Sequence, residues 1–188
     1  MQDQISAAFG GFNHITFSPH GAFQVNPMVL PTERLEALQS HLILVFTGVS
    51  RIANDIAQTQ IDNFKNRRGE LQALHEMVDE AVEILASPTA DLAEFGRLLH
   101  RAWMLKRTLS TRVSNPRVDD LYDSALRAGA VGGKLLGAGG GGFMLLFVRP
   151  EDRARLVAAI PQHITVSIRF ELAGSQIVLY QPNGFVSA

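Results

Sequence analysis

Eight of the sixteen glycines of this 188-residue chain fall in the fourteen residues from Gly129 to Gly142. The run Gly137-Ala138-Gly139-Gly140-Gly141-Gly142 leads directly into Phe143–Val148, the longest purely apolar stretch of the sequence. A glycine run satisfies almost any glycine pattern, so its context decides what it is. A dinucleotide-binding G-x-G-x-x-G loop needs a strand before it, a helix opening on it and an acid about 20 residues further on. Here a strand follows the glycines, and position 162 is Gln. A G-x-x-x-x-G-K-[ST] phosphate loop is excluded too, because Gly133-Lys134 is followed by Leu135 and the leading position is Ala128. What remains is strand, glycine loop, strand. One reading is a tight hairpin whose glycines supply positive φ. The other is a loop that faces a ligand or another domain, since bare backbone permits close approach and successive N–H groups form an anion nest. Six small residues in a row exceed what a turn needs, which favours the second.

The rest of the chain sets this loop in a mixed fold. Phe12–Phe17 and Phe23–Val29 are rich in aromatic and branched residues and flank Ser18-Pro19-His20-Gly21, which predicts a β-hairpin. Pro31-Thr32 opens a short helix with Leu35 and Leu38 on one face, and His41–Thr47, closed by Gly48, reads as a buried strand. From Ala53 to Leu109 the period is helical, with stripes at Leu71, Leu74, Val78, Ala81, Leu85 and at Phe95, Leu98, Ala102, Leu105, Leu109. Ser87-Pro88-Thr89 separates them, and Thr89 or Asp91 starts the second. A third helix is predicted over about Arg117–Ala128 with Asn115-Pro116 at its start and Val118, Leu121 and Ala125 inward. After Phe143–Val148 come a helix over Pro150–Ile160 and strands at Thr165–Leu172 and Gln176–Tyr180. This order implies an α+β fold of the ferredoxin-like split βαβ kind with an elongated first crossover.

Composition narrows the function. With 46% apolar and 19% charged residues the chain can bury a core. Seventeen Lys+Arg against eighteen Asp+Glu leave a net charge of −1, which removes the electrostatic case for a nucleic-acid or anionic-membrane binder. The absence of cysteine excludes disulfides, zinc–thiolate sites and a thiol nucleophile, and fits a reducing cytoplasm. The first ten residues have neither a basic nor an apolar signal region, so no signal peptide is expected.

GGKLLGAGGGGF (Gly132–Phe143) resembles the C-terminal glycine-rich motif of the GHMP small-molecule kinases, the family of galactokinase, homoserine kinase, mevalonate kinase and phosphomevalonate kinase. Gln2-Asp3-Gln4 followed by Phe9-Gly10-Gly11 resembles the segment that carries the family's active-site aspartate. Together with LVFTGVSR (Leu44–Arg51) and LLHRAWMLKRTLS (Leu98–Ser110), these blocks are most similar to the D-glycero-D-manno-heptose 7-phosphate kinases. The resemblance covers essentially the whole chain, with the blocks in the family's order.

The resemblance implies a C-terminal kinase domain over residues 31–188, ferredoxin-like in fold. Residues 1–30 would be a helix start and hairpin left over from the N-terminal catalytic half. No P-x-x-x-G-L-G-S-S-A loop occurs in the sequence, so ATP and Mg²⁺ are expected on an N-terminal half outside it, with no metal ligands in this chain. A face for that half, or for a second copy, is expected on the apolar hairpin Phe12–Val29. Asp3 would orient or deprotonate the acceptor hydroxyl of a small-molecule sugar phosphate. Gln2, Gln4, Gly10 and Gly11 would contact the substrate, and Arg51 with Arg107 or Lys106 would hold its phosphate, as a guanidinium fork suits phosphate oxygens. Lys134 and the loop Gly137, Ala138, Gly139, Gly140, Gly141, Gly142 would border the ATP and substrate cleft. Each has an ordinary alternative: Asp3 as an exposed terminal acid, the arginines as surface ion-pair partners, Lys134 as an exposed strand lysine. His100 and Trp103 read as packing residues, and Met104 and the phenylalanines as core. The alternative for the whole chain is a non-catalytic ferredoxin-like ligand-binding or regulatory module derived from a kinase.

Overall fold

The computed structural model describes residues 1–48, 59, 61 and 63–178. It divides into two compact units, one made of Met1–Val29 with the chain from Arg169 onward, the other of Leu30–Ile168. The segment from Arg169 therefore groups with the N-terminal residues and not with 31–168.

The first unit opens with α1 (Gln2–Phe9) and the antiparallel hairpin of β1 (Asn13–Phe17) and β2 (Phe23–Pro27), in register Ile15 to Val25 and Phe17 to Phe23. Gly10 ends α1 at φ 65°. It meets residues 173–174 backbone to backbone: a methyl on Gly10 would lie 2.3 Å from the Ala173 carbonyl carbon, and one on Gly174 2.0 Å from the Ala8 oxygen. The Gly11 N–H donates to Glu171 O at 2.9 Å, the Ser175 N–H to Ala8 O at 3.1 Å, and Phe12 meets Phe170 edge-on. These contacts correct one expectation. Of the strand predicted over 165–172 only Thr165–Ser167 pairs, and residues 168–178 form no strand. Their backbone serves the end of α1 instead of a sheet; residues 179–180 lie outside the described residues. The phenylalanines are not uniformly core either. Phe9, at the end of α1, is 54% exposed, and Phe17 and Phe23 are 41 and 45% exposed, the last two because a two-stranded hairpin has too little area of its own to cover both faces.

The second unit runs α2 (Thr32–His41), β3 (Leu42–Phe46), a 3₁₀ turn (Phe64–Asn66), α3 (Arg68–Ala86), α4 (Leu92–Arg107), α5 (Pro116–Arg127), β4 (Ala130–Leu135), β5 (Phe143–Val148), a second 3₁₀ turn (Pro150–Asp152), α6 (Arg153–Ala159) and β6 (Thr165–Ser167). The strands form one sheet in the order β4-β5-β3-β6, every neighbour antiparallel. Val45, Met144, Leu146 and Val148 are buried in the sheet and pack with Trp103, Val118, Tyr122, Leu156 and Ile160 from the helices. Among the described residues no helix is long and apolar enough to cross a membrane.

Local chemistry explains the helix ends. Asp91, one of the two predicted starts, caps α4 by accepting from the Ala93 N–H at 2.9 Å. Asn115 caps α5 through Val118 N–H, with Pro116 at the first helical position. Arg34 of α2 donates to the carbonyls of Ile84 (2.7 Å), Leu85 (3.3 Å) and Ala90 (2.8 Å), so a cation sits on the last carbonyls of α3, where the helix dipole favours it. The helical period was legible, and Leu85, Leu98 and Leu109 of the predicted stripes are buried. On α3 Val78 is 42% exposed, and the phase of α4 also buries Leu92, Ala93, Gly96, Leu99 and Trp103 beside the predicted stripe.

Glycine sets that phase on α4. A methyl on Gly132 of β4 would stand 2.0 Å from the Gly96 carbonyl oxygen, and one on Gly96 2.7 Å from the Phe147 ring. The helix therefore lies directly on strand backbone. We expect Gly132→Ala to destabilise the chain by about 2 kcal/mol or more, as overpacking against immovable backbone does. Gly69→Ala in α3, where nothing lies within 4 Å, should raise stability by about 0.5 kcal/mol through helix propensity. Urea unfolding of both variants checks the pair.

Candidate functional site

The loop between β4 and β5 takes glycine because its backbone requires it. Gly137, Gly139, Gly140 and Gly142 have φ of 70, 121, 74 and 97°, values that L side chains rarely adopt. A methyl on Gly139 would also stand 2.7 Å from the Val113 carbonyl oxygen. The loop is closed by Leu136 N–H to Phe143 O and held to the preceding turn by Gly140 N–H to Val113 O, both 2.9 Å.

Three elements fasten its carbonyls. Lys106 Nζ, in the last turn of α4, donates to Gly137 O at 2.7 Å. Asn115 Nδ2 donates to Gly140 O at 2.9 Å while its Oδ1 caps α5. Thr47, just after β3, donates its N–H and its hydroxyl to Gly142 O, each at 2.9 Å. The described chain has no cis peptide bonds, so each amide points opposite to the carbonyl of the same peptide plane. The Ala138 and Gly141 N–H groups thus point away from Lys106 and Asn115. The Gly140 N–H, by contrast, is turned inward to Val113 O.

The cations around the loop are sorted by partner. Arg107 pairs with Asp119 of α5 at 2.9 Å, and the Ser114 hydroxyl donates to the same carboxylate oxygen at 2.5 Å. Its neighbour Lys106 turns to the loop. Burial, with the nearby charge of Lys134, lowers the Lys106 pKa from 10.5 to about 8. Burial lowers that of Lys134 as well. Among the described residues neither lysine forms an ion pair. Behind them His100 Nδ1 and the Tyr122 hydroxyl are 2.8 Å apart, and burial pushes the phenol's pKa up, opposed by a backbone hydrogen bond from Gly133. Trp103 is fully buried in the core. Both fit the packing role read from the sequence.

Gln2, Asp3 and Gln4 are exposed on the first turn of α1, where a carboxylate is favoured by the helix dipole. They belong to the first unit and the glycine loop to the second. Gly10 and Gly11 have a structural reason of their own in their contacts with residues 171–174. Arg51 lies outside the described residues. Among the described residues no group of His, Asp and Glu is gathered to hold a metal ion. Thr47 and Asn115 were not singled out as loop anchors. Asn115-Pro116 signalled a helix start, but its second bond reaches a residue 25 positions away, which no local pattern encodes.

The sequence matches the family of GHMP kinases C terminal over residues 50–164. It is 33% identical over 160 residues to the D-glycero-alpha-D-manno-heptose 7-phosphate kinase of Campylobacter jejuni, covering 85% of this chain and 47% of that protein. It is 29% identical to the bifunctional fucokinase/GDP-fucose pyrophosphorylase of Arabidopsis thaliana, covering 82% of this chain and 15% of that one. Among crystal structures, a D-glycero-D-manno-heptose 1-phosphate kinase from Bacteroides thetaiotaomicron superposes with a TM-score of 0.62 at 26% identity, over 92% of this chain and 46% of that one. An L. major mevalonate kinase in complex with R-mevalonate shares the fold with a TM-score of 0.67 at 20% identity, over 88% of this chain and 52% of that one. The chain thus spans about half the length of the heptose kinase relative or less of the others it matches by sequence.

Two measurements test the site's construction. Asn115→Ala should cost about 1 kcal/mol for the lost cap. Asn115→Asp keeps the cap acceptor but lacks the donor to Gly140, so it should retain most stability while amide exchange quickens at Gly139–Gly141. Between pH 8 and 10.5 the unfolded chain keeps a proton that folded Lys106 has lost, so stability contributed through this group rises with pH across that window. The urea midpoint of the parent chain should therefore climb relative to that of Lys106→Met over the same range.

Proposed function

Because the chain belongs to the GHMP kinases, carrying their C-terminal domain over residues 50–164, we propose that it supplies the C-terminal part of an ATP-dependent sugar kinase. In this reading the complete enzyme phosphorylates a heptose 7-phosphate at its anomeric hydroxyl. The observation that carries it is the glycine loop, whose carbonyls are fastened by Lys106, Asn115 and Thr47 and whose lack of side chains permits close approach of a ligand. The sugar class rests on the similarity to the heptose 7-phosphate kinase.

The second unit reads as a ferredoxin-like split βαβ domain. Its support is the strand order, in which β5 lies between β3 and β4, and β3 between β5 and β6. Residues 1–30, with α1 and the hairpin, read as belonging to the catalytic half. Phe17, Phe23 and Val29 are exposed there, which suits a face covered by an N-terminal kinase half. ATP supplies the phosphoryl group, and Mg²⁺ offsets its charge; both are assigned to that half, as the resemblance to the GHMP kinases implies. The enzyme is placed in the cytoplasm, in keeping with the absence of cysteine.

Asp3 is the carboxylate that orients the acceptor hydroxyl and takes its proton, and Gln2 and Gln4 offer amides to the sugar. Gly10 and Gly11 let the chain turn beside it, and Arg51 contributes charge to its phosphate. Arg107 acts at one remove, through its pair with Asp119. The glycine loop lines the cleft.

Expression of this chain with and without an N-terminal half tests the reading. The chain alone should show no turnover and no micromolar affinity for Mg·ATP. Rejoined, it should phosphorylate the heptose 7-phosphate, and Asp3→Asn should lower kcat by about 10²–10⁴-fold, the range of a lost general base. A chain that folds and binds ligand but yields no activity in either setting is the regulatory module instead.

A further inference from the structure

A cleft of about 380 Å³ lies beside the end of β3, lined by Thr47, by Arg117, Asp120, Leu121 and Ser124 of α5, and by His163 after α6. Thr47 and Leu121 are buried, Ser124 and His163 half-buried, and Arg117 and Asp120 exposed. Its size is that of a small-molecule site. Its walls are held without a ligand. The Thr47 N–H and hydroxyl both donate to Gly142 O at 2.9 Å. The start of α5 is fixed by the Asn115 cap. The His163 N–H donates to Ile160 O at 3.0 Å, and its ring Nδ1 lies 2.9 Å from Phe46 O. A carbonyl only accepts, so Nδ1 carries a proton and Nε2 is the acceptor of the neutral ring.

Arg117 and Asp120 are three residues apart on α5, a spacing that makes them neighbours on the helix surface. At the same spacing Arg67 and Glu70, Glu94 and Arg97, and Asp152 and Arg155 close ion pairs at 2.8, 2.5 and 2.8 Å. Arg117 and Asp120 line the cleft and do not join each other. The cleft therefore presents one positive and one negative group side by side, with neutral hydrogen-bonding groups from Ser124 and His163. An anion there is drawn to Arg117 and repelled by Asp120, and a cation meets the reverse, so the two terms offset. A neutral polyol gives neither group a counter-charge. A zwitterion answers both. Its carboxylate matches the guanidinium fork, and its ammonium donates to Asp120. In an α-amino acid the two groups share one carbon, which suits charges projecting from a single helix turn. Leu121 offers its side chain an apolar contact.

We propose that this cleft is a binding site for a free α-amino acid, with Arg117 on the carboxylate and Asp120 on the ammonium. The assignment is independent of the kinase reading.

The 188-residue chain, isotope-labelled in its amides, is titrated by NMR with a panel of the common L-α-amino acids. Acetate, methylamine, glucose and inorganic phosphate serve as probes that lack one or both charges. The amide resonances of Leu121, Ser124 and His163 should shift saturably with at least one amino acid, and the four other probes should bind at least tenfold more weakly. Arg117→Gln and Asp120→Asn should each weaken amino-acid binding at least tenfold, as loss of a charge-assisted bond does. Asp123→Asn, on α5 but outside the cleft, should change it by less than about twofold. Both cleft positions are exposed, so the variants should keep the fold, which their remaining amide spectra verify. No saturable shift with any amino acid overturns the proposal. So does acetate, methylamine, glucose or phosphate binding as tightly, or unchanged affinity in the folded Arg117→Gln and Asp120→Asn chains.

Discussion

The contact between Gly96 of α4 and Gly132 of β4 governs much of the second unit. With no side chain at either position, a helix carbonyl lies where a strand methyl would otherwise stand. Helix and sheet usually keep side chains between them. Here backbone meets backbone, so the helix has little freedom to slide or turn about its axis. That restriction places Trp103 and Leu99 in the core and leaves the last turn of α4 at the start of the glycine loop.

The loop then depends on anchors from separate elements. Thr47 comes from the end of β3, Asn115 from the start of α5 and Lys106 from the end of α4. Each fastens a carbonyl, and each also belongs to an element boundary that the core holds in place. A flexible glycine run would lose much conformational entropy on ordering. Its anchors are fixed by packing elsewhere, so that ordering is already accomplished when a ligand arrives. The electrostatics follow the same division. Arg107 and Asp119 neutralise each other between α4 and α5, while Lys106 donates to the loop.

Element type was largely legible in the sequence, because strands and helices announce themselves through period and through Pro, Gly, Asp and Asn at their ends. The cap at Asp91, the Asn115-Pro116 start and the strand after the glycines are local chemistry and can be read locally. Phase was harder to read. Val78 follows the apolar spacing of α3 yet faces outward, since a stripe wider than its contact leaves a margin exposed. The tail after Ser167 looked like strand and instead bonds to the end of α1, more than 150 residues earlier in the chain. Its β propensity could not register that long-range demand.

The sequence by itself determined the kind of protein this is: an α+β chain with an ordered set of blocks shared with the GHMP kinases, and a glycine run too long for a turn. Those properties reside in residue identity and spacing. Only the tertiary structure decided which cation serves the glycine loop. Successive residues of a helix point about 100° apart, so Lys106 and Arg107 cannot both face it. The choice depends on the rotation of α4 against the sheet, and that rotation is set where Gly96 meets Gly132.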